Sequence, residues 1–124
     1  MTDIVDASEQ ILCRLSDIED GDARGCLPAD GQDQLFVVRR GAEVVVYLNS
    51  CPHNWRPLEY RRHQFLAPDH SHIICYAHGA HFEIDSGYCF AGPCEGKSLV
   101  RIPSRLAGDC VVVPRALPPT RWDG

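Results

Sequence analysis

Two short motifs carry the side chains of this chain that are best suited to chemistry. The first is Cys51-Pro52-His53, and the second, after residues 54–74, is Cys75-Tyr76-Ala77-His78. Each motif supplies one thiolate and one imidazole. Such a set suits a tetrahedral zinc site, or an iron–sulfur cluster in which two cysteines bind one iron and two histidines bind the other. The first site would hold the fold together and the second would carry electrons; the ligand types alone leave both open.

The residues around these motifs resemble the Rieske [2Fe–2S] family. The resemblance runs over residues 11–113, nearly the whole chain, and the paired motifs followed by His78-Gly79 are specific to that family. The separation between the motifs is a few residues longer than usual, and we place the excess at residues 60–63 as a harmless surface loop, because the entropy of loop closure grows slowly with length. The matching features are Cys51-Pro52-His53, Pro57-Leu58, His78-Gly79, Phe82, Asp85, Gly87 and Gly92-Pro93.

The resemblance implies one [2Fe–2S] cluster per chain. Cys51 and Cys75 would bind one iron, His53 and His78 the other, and a proline-bearing loop at Gly92-Pro93 would cover the cluster. Neutral imidazoles stabilise the reduced state of their iron and raise the potential above that of an all-cysteine cluster. We therefore expect the added electron on the histidine-bound iron, and both imidazoles nearer to the surface than the cysteines.

Two positions after the second motif bear on the reduction potential. High-potential relatives place a serine two residues after the ligand histidine and a tyrosine two residues further on, and their hydroxyl groups donate hydrogen bonds to sulfur. Here these positions are Ala80 and Phe82, which offer no donor. The resemblance therefore implies a potential in the lower third of the Rieske range of roughly −150 to +300 mV.

The function implied by the resemblance is one-electron transfer by a ferredoxin. Such a protein shuttles electrons from a reductase to a terminal acceptor such as a Rieske-type oxygenase, and it is not itself an enzyme. Alternatives are an accessory subunit like the small subunit of nitrite reductases, a redox sensor, or a structural Cys₂His₂ zinc module. Rieske oxygenases also need a mononuclear iron in a large second domain, for which 124 residues leave no room.

Composition predicts an ordinary globular protein whose partners are proteins. Hydrophobic residues make up 44% and charged residues 23% of the chain, as in a typical globular domain. We expect a single domain over residues 1–124, with a core at about 11–113 and a loose extension at 114–124. The absence of a long apolar stretch or a secretory signal predicts a cytoplasmic location without membrane contact. We also expect a monomer. The net charge of −5 argues against binding to nucleic acid.

The pattern of short β-branched runs predicts an all-β antiparallel sandwich or barrel with a small cluster-binding subdomain. Residues 34–39 and 43–49 should form a hairpin around Gly41, and no window shows a convincing helical period. Both ligand motifs follow the ends of predicted strands, so two rigid strands would deliver two short loops to one point. The other predicted strands are residues 11–15, 65–67, 72–74, 81–84, 99–103 and 110–113.

Several further cysteines, histidines and basic residues have less specific interpretations. Cys13, Cys26 and Cys110 should be small core residues. Cys89 and Cys94 flank the third loop and could approach the cluster, although we expect them to serve in packing. His70, His72 and His81 should form a solvated face and not a second metal site. The basic group of Arg56, Arg61, Arg62 and His63, together with Trp55, follows the first ligand loop and could steer the docking of an acidic protein.

Overall fold

Antiparallel strands form nearly all the regular structure of this protein. The computed structural model describes residues 6–29, 31–59, 61–77 and 79–122. In these ranges there is one 3₁₀ turn, Leu15–Asp17, and no α-helix, which confirms the all-β prediction. The strands are β1 (Glu9–Arg14), β2 (Ala23–Ala29), β3 (Gln32–Arg40), β4 (Glu43–Leu48), β5 (Ile73–Cys75), β6 (Ala80–Phe82), β7 (Cys89–Ala91), β8 (Arg101–Ile102), β9 (Arg105–Ala107) and β10 (Cys110–Pro114).

The predicted hairpin of β3 and β4 forms the centre of the molecule. Arg40 pairs with Glu43 across a two-residue turn, and Gly41 at the first turn position has a φ of 66°. A glycine at this place supplies the positive φ of a type II′ turn, whose twist matches that of the flanking strands. The turn thereby fixes the register that carries β4 towards Cys51.

The sheet built on this hairpin is buried on both faces, which explains its continuous apolar sequence. Its strand order is β2-β3-β4-β8, and a second sheet, β1-β10-β9, packs on one side. Leu35 and Val37 belong to the core shared with that second sheet, whereas Phe36 and Val38 belong to the core on the opposite face. The opposite core also contains Cys51 and Cys75, so the predicted cluster-binding subdomain rests on the central sheet.

Strand β2 is absent from the sequence-based prediction because Gly25 and Pro28 disfavour a regular strand. In the structure it pairs along β3 with an irregularity at Leu27, whose φ is 58°. Gly25 is required here, because a Cβ atom would collide with the carboxylate of Asp33. β2 is therefore held by its partner strand and by the side chain of Asp33 more than by its own propensity.

The third sheet, β5-β6-β7, carries the second ligand motif. Cys75 ends β5 and pairs with Ala80 of β6. The sheet packs on the central one through residues such as Phe65, whose ring stacks on Phe36 with centroids 4.3 Å apart. Residues 65–67 were predicted as a strand but form only an isolated bridge between Leu66 and Ile73. The short strands β7 and β9 were not predicted.

The prediction of a loose C-terminal extension is wrong for residues 117–122. Leu117 packs against the core between the first two sheets. The indole Nε1–H of Trp122 donates to the carbonyl oxygen of Asn49 at 2.8 Å, and the hydroxyl of Ser50 donates to the carbonyl oxygen of Thr120. This C-terminal segment therefore lies against the chain that leads into Cys51. Separately, the described residues contain no helix long and apolar enough to cross a membrane.

Candidate metal centre

The first ligand loop is a tight turn closed on Cys51. The amide of Cys51 donates to the carbonyl oxygen of Arg56 at 2.8 Å, and the amide of Trp55 donates back to the carbonyl oxygen of Cys51 at 2.6 Å. Trp55 adopts a φ of 65°, and the guanidinium of Arg121 lies over its ring at 5.0 Å from the centroid. These bonds fix the direction in which Cys51 and His53 leave the turn.

Asn49 is the residue that anchors this loop to the sheet. It is fully buried, and its side-chain amide donates to the carbonyl of Asp33 at 2.9 Å and to the carboxylate of Glu59 at 2.8 Å. Its side-chain oxygen accepts the amide of Leu58 at 2.9 Å. The side chain of Asn49 therefore binds both ends of the loop, before Cys51 and after residue 57. The sequence-based prediction did not include Asn49 among the site residues.

The second ligand loop is tied to the first through the backbone. The amide of Tyr76 donates to the carbonyl oxygen of Leu58 at 3.0 Å, and the amide of Gly79 closes the turn on the carbonyl oxygen of Cys75 at 2.9 Å. Gly79 has a φ of 71°, which a glycine adopts without strain. The two loops thus reach the same side of the molecule in a fixed relation.

The third loop lies directly on the backbone of the second. Gly92 has a φ of 102°, and a Cβ atom there would be 2.7 Å from the Cα of Ala80 and 2.8 Å from the carbonyl oxygen of Gly79. Since these are backbone atoms, no rotamer change could relieve the contact. The glycine of the Gly92-Pro93 turn is therefore what allows the third loop to approach the second ligand loop.

Four buried thiols meet beneath these loops, namely those of Cys51, Cys75, Cys89 and Cys94. The thiol of Cys75, followed by burial, raises the pKa of Cys51, while the backbone N–H of His53 donates to its sulfur and opposes the shift. Burial and the thiol of Cys89, 3.1 Å away between sulfur atoms, raise the pKa of Cys94 to about 12. Cys94 also forms a side-chain hydrogen bond with Cys51, so it lies closer to the predicted ligands than an interpretation as packing alone implies.

The donor set fits an iron–sulfur cluster. Cys51 and Cys75 are each only 1% exposed, and two adjacent buried thiolates repel each other unless a cation lies between them. Iron supplies that positive charge. His53, by contrast, is exposed, as predicted for the histidine side of the site. His78 lies outside the residues that the structure describes, so its predicted role stays a prediction.

The described part of the predicted surface loop after the first motif is exposed at Arg61 and Arg62 but is attached to the central sheet. Arg62 forms a bidentate ion pair with Asp33, with nitrogen–oxygen distances of 3.0 and 3.1 Å, and Asp33 is only 2% exposed. His63 accepts the amide N–H of Gly25 on its Nδ1 at 2.9 Å. The described part of the loop, residues 61–63, is therefore attached to β2 and β3, and the charge of Arg62 is already paired.

The hydrogen bond between His63 and the amide of Gly25 makes the stability of the folded protein dependent on pH. Burial, together with Arg24 and Arg62, lowers the pKa of His63 below its usual 6.5, and its Nδ1 must be unprotonated to accept the Gly25 amide. At this site protons therefore bind preferentially to the unfolded chain. The contribution of His63 to the free energy of unfolding is complete above pH 6.5 and declines as the pH falls towards the lower pKa that His63 has in the folded protein.

His63→Asn is the matched variant for this prediction, because asparagine offers an acceptor, tolerates the φ of 72° and does not titrate. We expect the thermal midpoint of the unmodified protein to fall more than that of the variant between about pH 7.5 and pH 5.5. Parallel curves for the two proteins would show that His63 contributes nothing to the pH dependence.

Comparisons with known proteins agree with this geometry. The family model of the Rieske [2Fe–2S] domain matches residues 8–115, while no curated protein sequence matches the chain. Among solved structures, the chain resembles the Sphingomonas yanoikuyae B1 ferredoxin, with 24% identity and a TM-score of 0.67 over 87% of this chain and 99% of that one. It also resembles the ferredoxin of carbazole 1,9a-dioxygenase from Nocardioides aromaticivorans IC177, with 21% identity and a TM-score of 0.67 over 87% and 98%.

A third similar structure is a chain in the complex of reduced oxygenase and oxidised ferredoxin in carbazole 1,9a-dioxygenase, with 23% identity and a TM-score of 0.67 over 88% of this chain and 94% of that one. At these identities the solved structures establish the fold. The family model covers most of the chain, including both ligand motifs and the third loop. The protein therefore belongs to the Rieske [2Fe–2S] domain family and has the cluster as its cofactor.

Proposed function

We propose that this protein is a ferredoxin that carries one electron at a time between a reductase and a terminal oxygenase. In this proposal Cys51 and Cys75 hold one iron, and His53 and His78 hold the other. The observation that carries it is the arrangement of two fully buried cysteines beneath an exposed histidine, on loops fixed by Asn49 and by the Tyr76–Leu58 hydrogen bond. A bound cluster would accept and release a single electron, and the exposed His53 would give it a short exit to a partner.

The surface beside His53 supports docking of an acidic protein. Arg121 lies over the half-buried ring of Trp55, and Arg56, the next residue in the chain, is exposed, so an aromatic ring with a bound cation and a further exposed cation belong to the same loop. Aromatic rings and arginines are enriched at the centres of interfaces. The ion pair with Asp33 already neutralises Arg62. Arg62 therefore does not count among the basic residues that would attract an acidic partner. One of the similar solved structures is a complex of a ferredoxin with an oxygenase, and an oxygenase is the acceptor that we propose here.

A redox titration coupled to rapid mixing tests this function. We expect the purified protein to take up one electron per chain, and the reduced form to be oxidised rapidly by a ferric Rieske-type oxygenase in a stopped-flow experiment. A cluster-free variant supplies the control for direct reduction of the oxygenase by the chemical reductant. Uptake of one electron without transfer above the buffer rate would favour a redox sensor or an accessory subunit.

The reduction potential gives an independent prediction for this protein. Ala80 and Phe82 are both fully buried in β6, so no hydroxyl at these positions donates to the cluster sulfurs. Ala80→Ser and Phe82→Tyr should each raise the potential, and the double variant should raise it further, because added donors stabilise the extra electron. Protein-film voltammetry measures the shift. A potential of the unmodified protein well above about +100 mV would mean that another donor governs the cluster and would remove the argument for an oxygenase as acceptor.

A further inference from the structure

Two histidines that were expected on a solvated face form a close pair in the structure. The Nε2 atom of His72 lies 2.7 Å from the Nδ1 atom of His81. Both residues are half-buried, and the ring of Phe90 covers them, with centroids 5.4 Å from His72 and 6.0 Å from His81. His81 lies in β6 and His72 immediately precedes β5, and neither is among the four residues proposed to hold the cluster.

Hydrogen bonding determines which nitrogen atoms present lone pairs. The hydroxyl of Ser71 donates its proton to the carboxylate of Asp69 at 2.7 Å, so its oxygen must accept from Nδ1–H of His72, 2.8 Å away. His72 therefore presents an unprotonated Nε2 towards His81. A ligand histidine commonly has its other ring N–H bound to an outer acceptor in this way, because the bond fixes the tautomer and the ring orientation.

The surroundings of the pair also favour a cation. Glu83, Asp85 and Ser71 line a surface cavity of about 450 Å³ together with His72. Arg40 lines the same cavity and pairs with Asp85 at 3.4 Å, and the guanidinium of Arg101 donates to the carbonyl oxygen of Asp85, so the carboxylate that remains to attract a cation is that of Glu83. Burial and the neighbouring His81 lower the pKa of His72, so the neutral form needed for metal binding prevails at neutral pH.

From this geometry we propose that His72 and His81 form a second metal site, for a borderline divalent transition cation such as Ni²⁺ or Zn²⁺, separate from the cluster. Metal–imidazole bonds of about 2.0–2.1 Å place two ligand nitrogens about 3.0–3.3 Å apart, so a small rotation of either ring opens the present 2.7 Å sufficiently. His81 moves its proton from Nδ1 to Nε2, so a neutral pair binds the cation without net proton release. Among the described residues no three potential ligands surround one point, so water completes the coordination.

Calorimetric titration of the cluster-loaded, untagged protein with Ni²⁺ in a non-coordinating buffer tests the site. We expect one Ni²⁺ per chain and a loss of at least about tenfold in affinity in both His72→Asn and His81→Asn. Ser71→Ala, which removes the hydroxyl that accepts from His72 together with its bond to Asp69, should weaken binding by about 10–100-fold. His70→Asn is the matched control, because the ring of His70 bonds to the carbonyl oxygen of Gly21 and not to the pair. The affinity of this variant for Ni²⁺ should equal that of the unmodified protein.

Visible absorption of the cluster, followed during the same titration, separates this site from the cluster itself. Binding with constant absorption supports a separate site, whereas bleaching in step with Ni²⁺ binding would show that the cation displaces iron and would overturn the proposal. The absence of binding to the unmodified protein at millimolar Ni²⁺, or equal affinity in the His72→Asn and His81→Asn variants, would also overturn it.

Discussion

Replacing His53 by alanine is expected to yield a protein that no longer retains its cluster. The exposed imidazole of His53 leaves a loop whose backbone is fixed around Cys51, and the neighbouring histidines are engaged elsewhere. His63 accepts the amide of Gly25, and His70 is bound to the carbonyl oxygen of Gly21. Neither can move to the vacated position without breaking its own contacts. Iron and sulfide analysis, with visible and EPR spectra of the reduced protein, measures the loss.

His70→Asn controls for the loss of a surface histidine in general and should retain about two irons and two sulfides per chain, as the unmodified protein should. If Cys51 and Cys75 hold the cluster as we propose, it ties β4 to β5, and part of the folding free energy is metal-binding energy. The cluster-free His53→Ala protein should therefore unfold at a markedly lower temperature than the loaded protein. Stoichiometric zinc without iron in anaerobically purified protein, or equal thermal midpoints with and without the cluster, would contradict this account.

The second large effect is expected at Gly92. Alanine there would meet the backbone of Ala80 and Gly79 at 2.7–2.8 Å and would also have to adopt a φ of 102°. The backbone strain alone costs about 1–3 kcal/mol, and the collision forces the third loop away from the second ligand loop. We expect Gly92→Ala to be destabilised by more than the strain accounts for and to lose its cluster faster on exposure to a chelator.

Gly96→Ala is the matched control for that variant. Gly96 lies in the same loop with a φ of 93°, but nothing is within 4 Å of the position that a Cβ would occupy. The Gly96→Ala variant therefore introduces the backbone strain without the collision. The difference between the two variants in denaturant unfolding and in the rate of cluster loss isolates the contact between the loops. Equal effects in both variants would show that the close approach at Gly92 has no importance for the cluster.

The sequence made the central hairpin and the cysteine motifs predictable because their signals are local. The Gly41 turn between two β-branched runs determines its own register, and the ligand motifs are short enough to be recognised without a structure. β2 could not be predicted, since Gly25 is explained only by the carboxylate of Asp33 on the neighbouring strand. In such cases tertiary contacts override the intrinsic preference of the residue.

The features that sequence reasoning missed at the site depend on contacts between distant residues. Asn49 anchors the first loop through Asp33, Glu59 and Trp122, and no local pattern distinguishes it from any asparagine at a strand end. The C-terminal segment contains two adjacent prolines, which suggested a loose tail, yet its contacts lie about 70 residues earlier in the chain. Composition cannot report such pairings, because they follow from the course of the whole backbone.

The pairing of β1 with β10 has a consequence for the order of folding. Glu9 pairs with Pro114, so this sheet closes only after almost the whole chain is available, and contacts of such sequence separation form slowly. The strands β5, β6 and β7 lie within residues 73–91 and need only short loops to meet. We therefore expect this part of the molecule, which carries the second ligand motif, and the local hairpin of β3 and β4, which leads to the first, to be organised early, so that iron can be incorporated while the two ends of the chain are still unpaired.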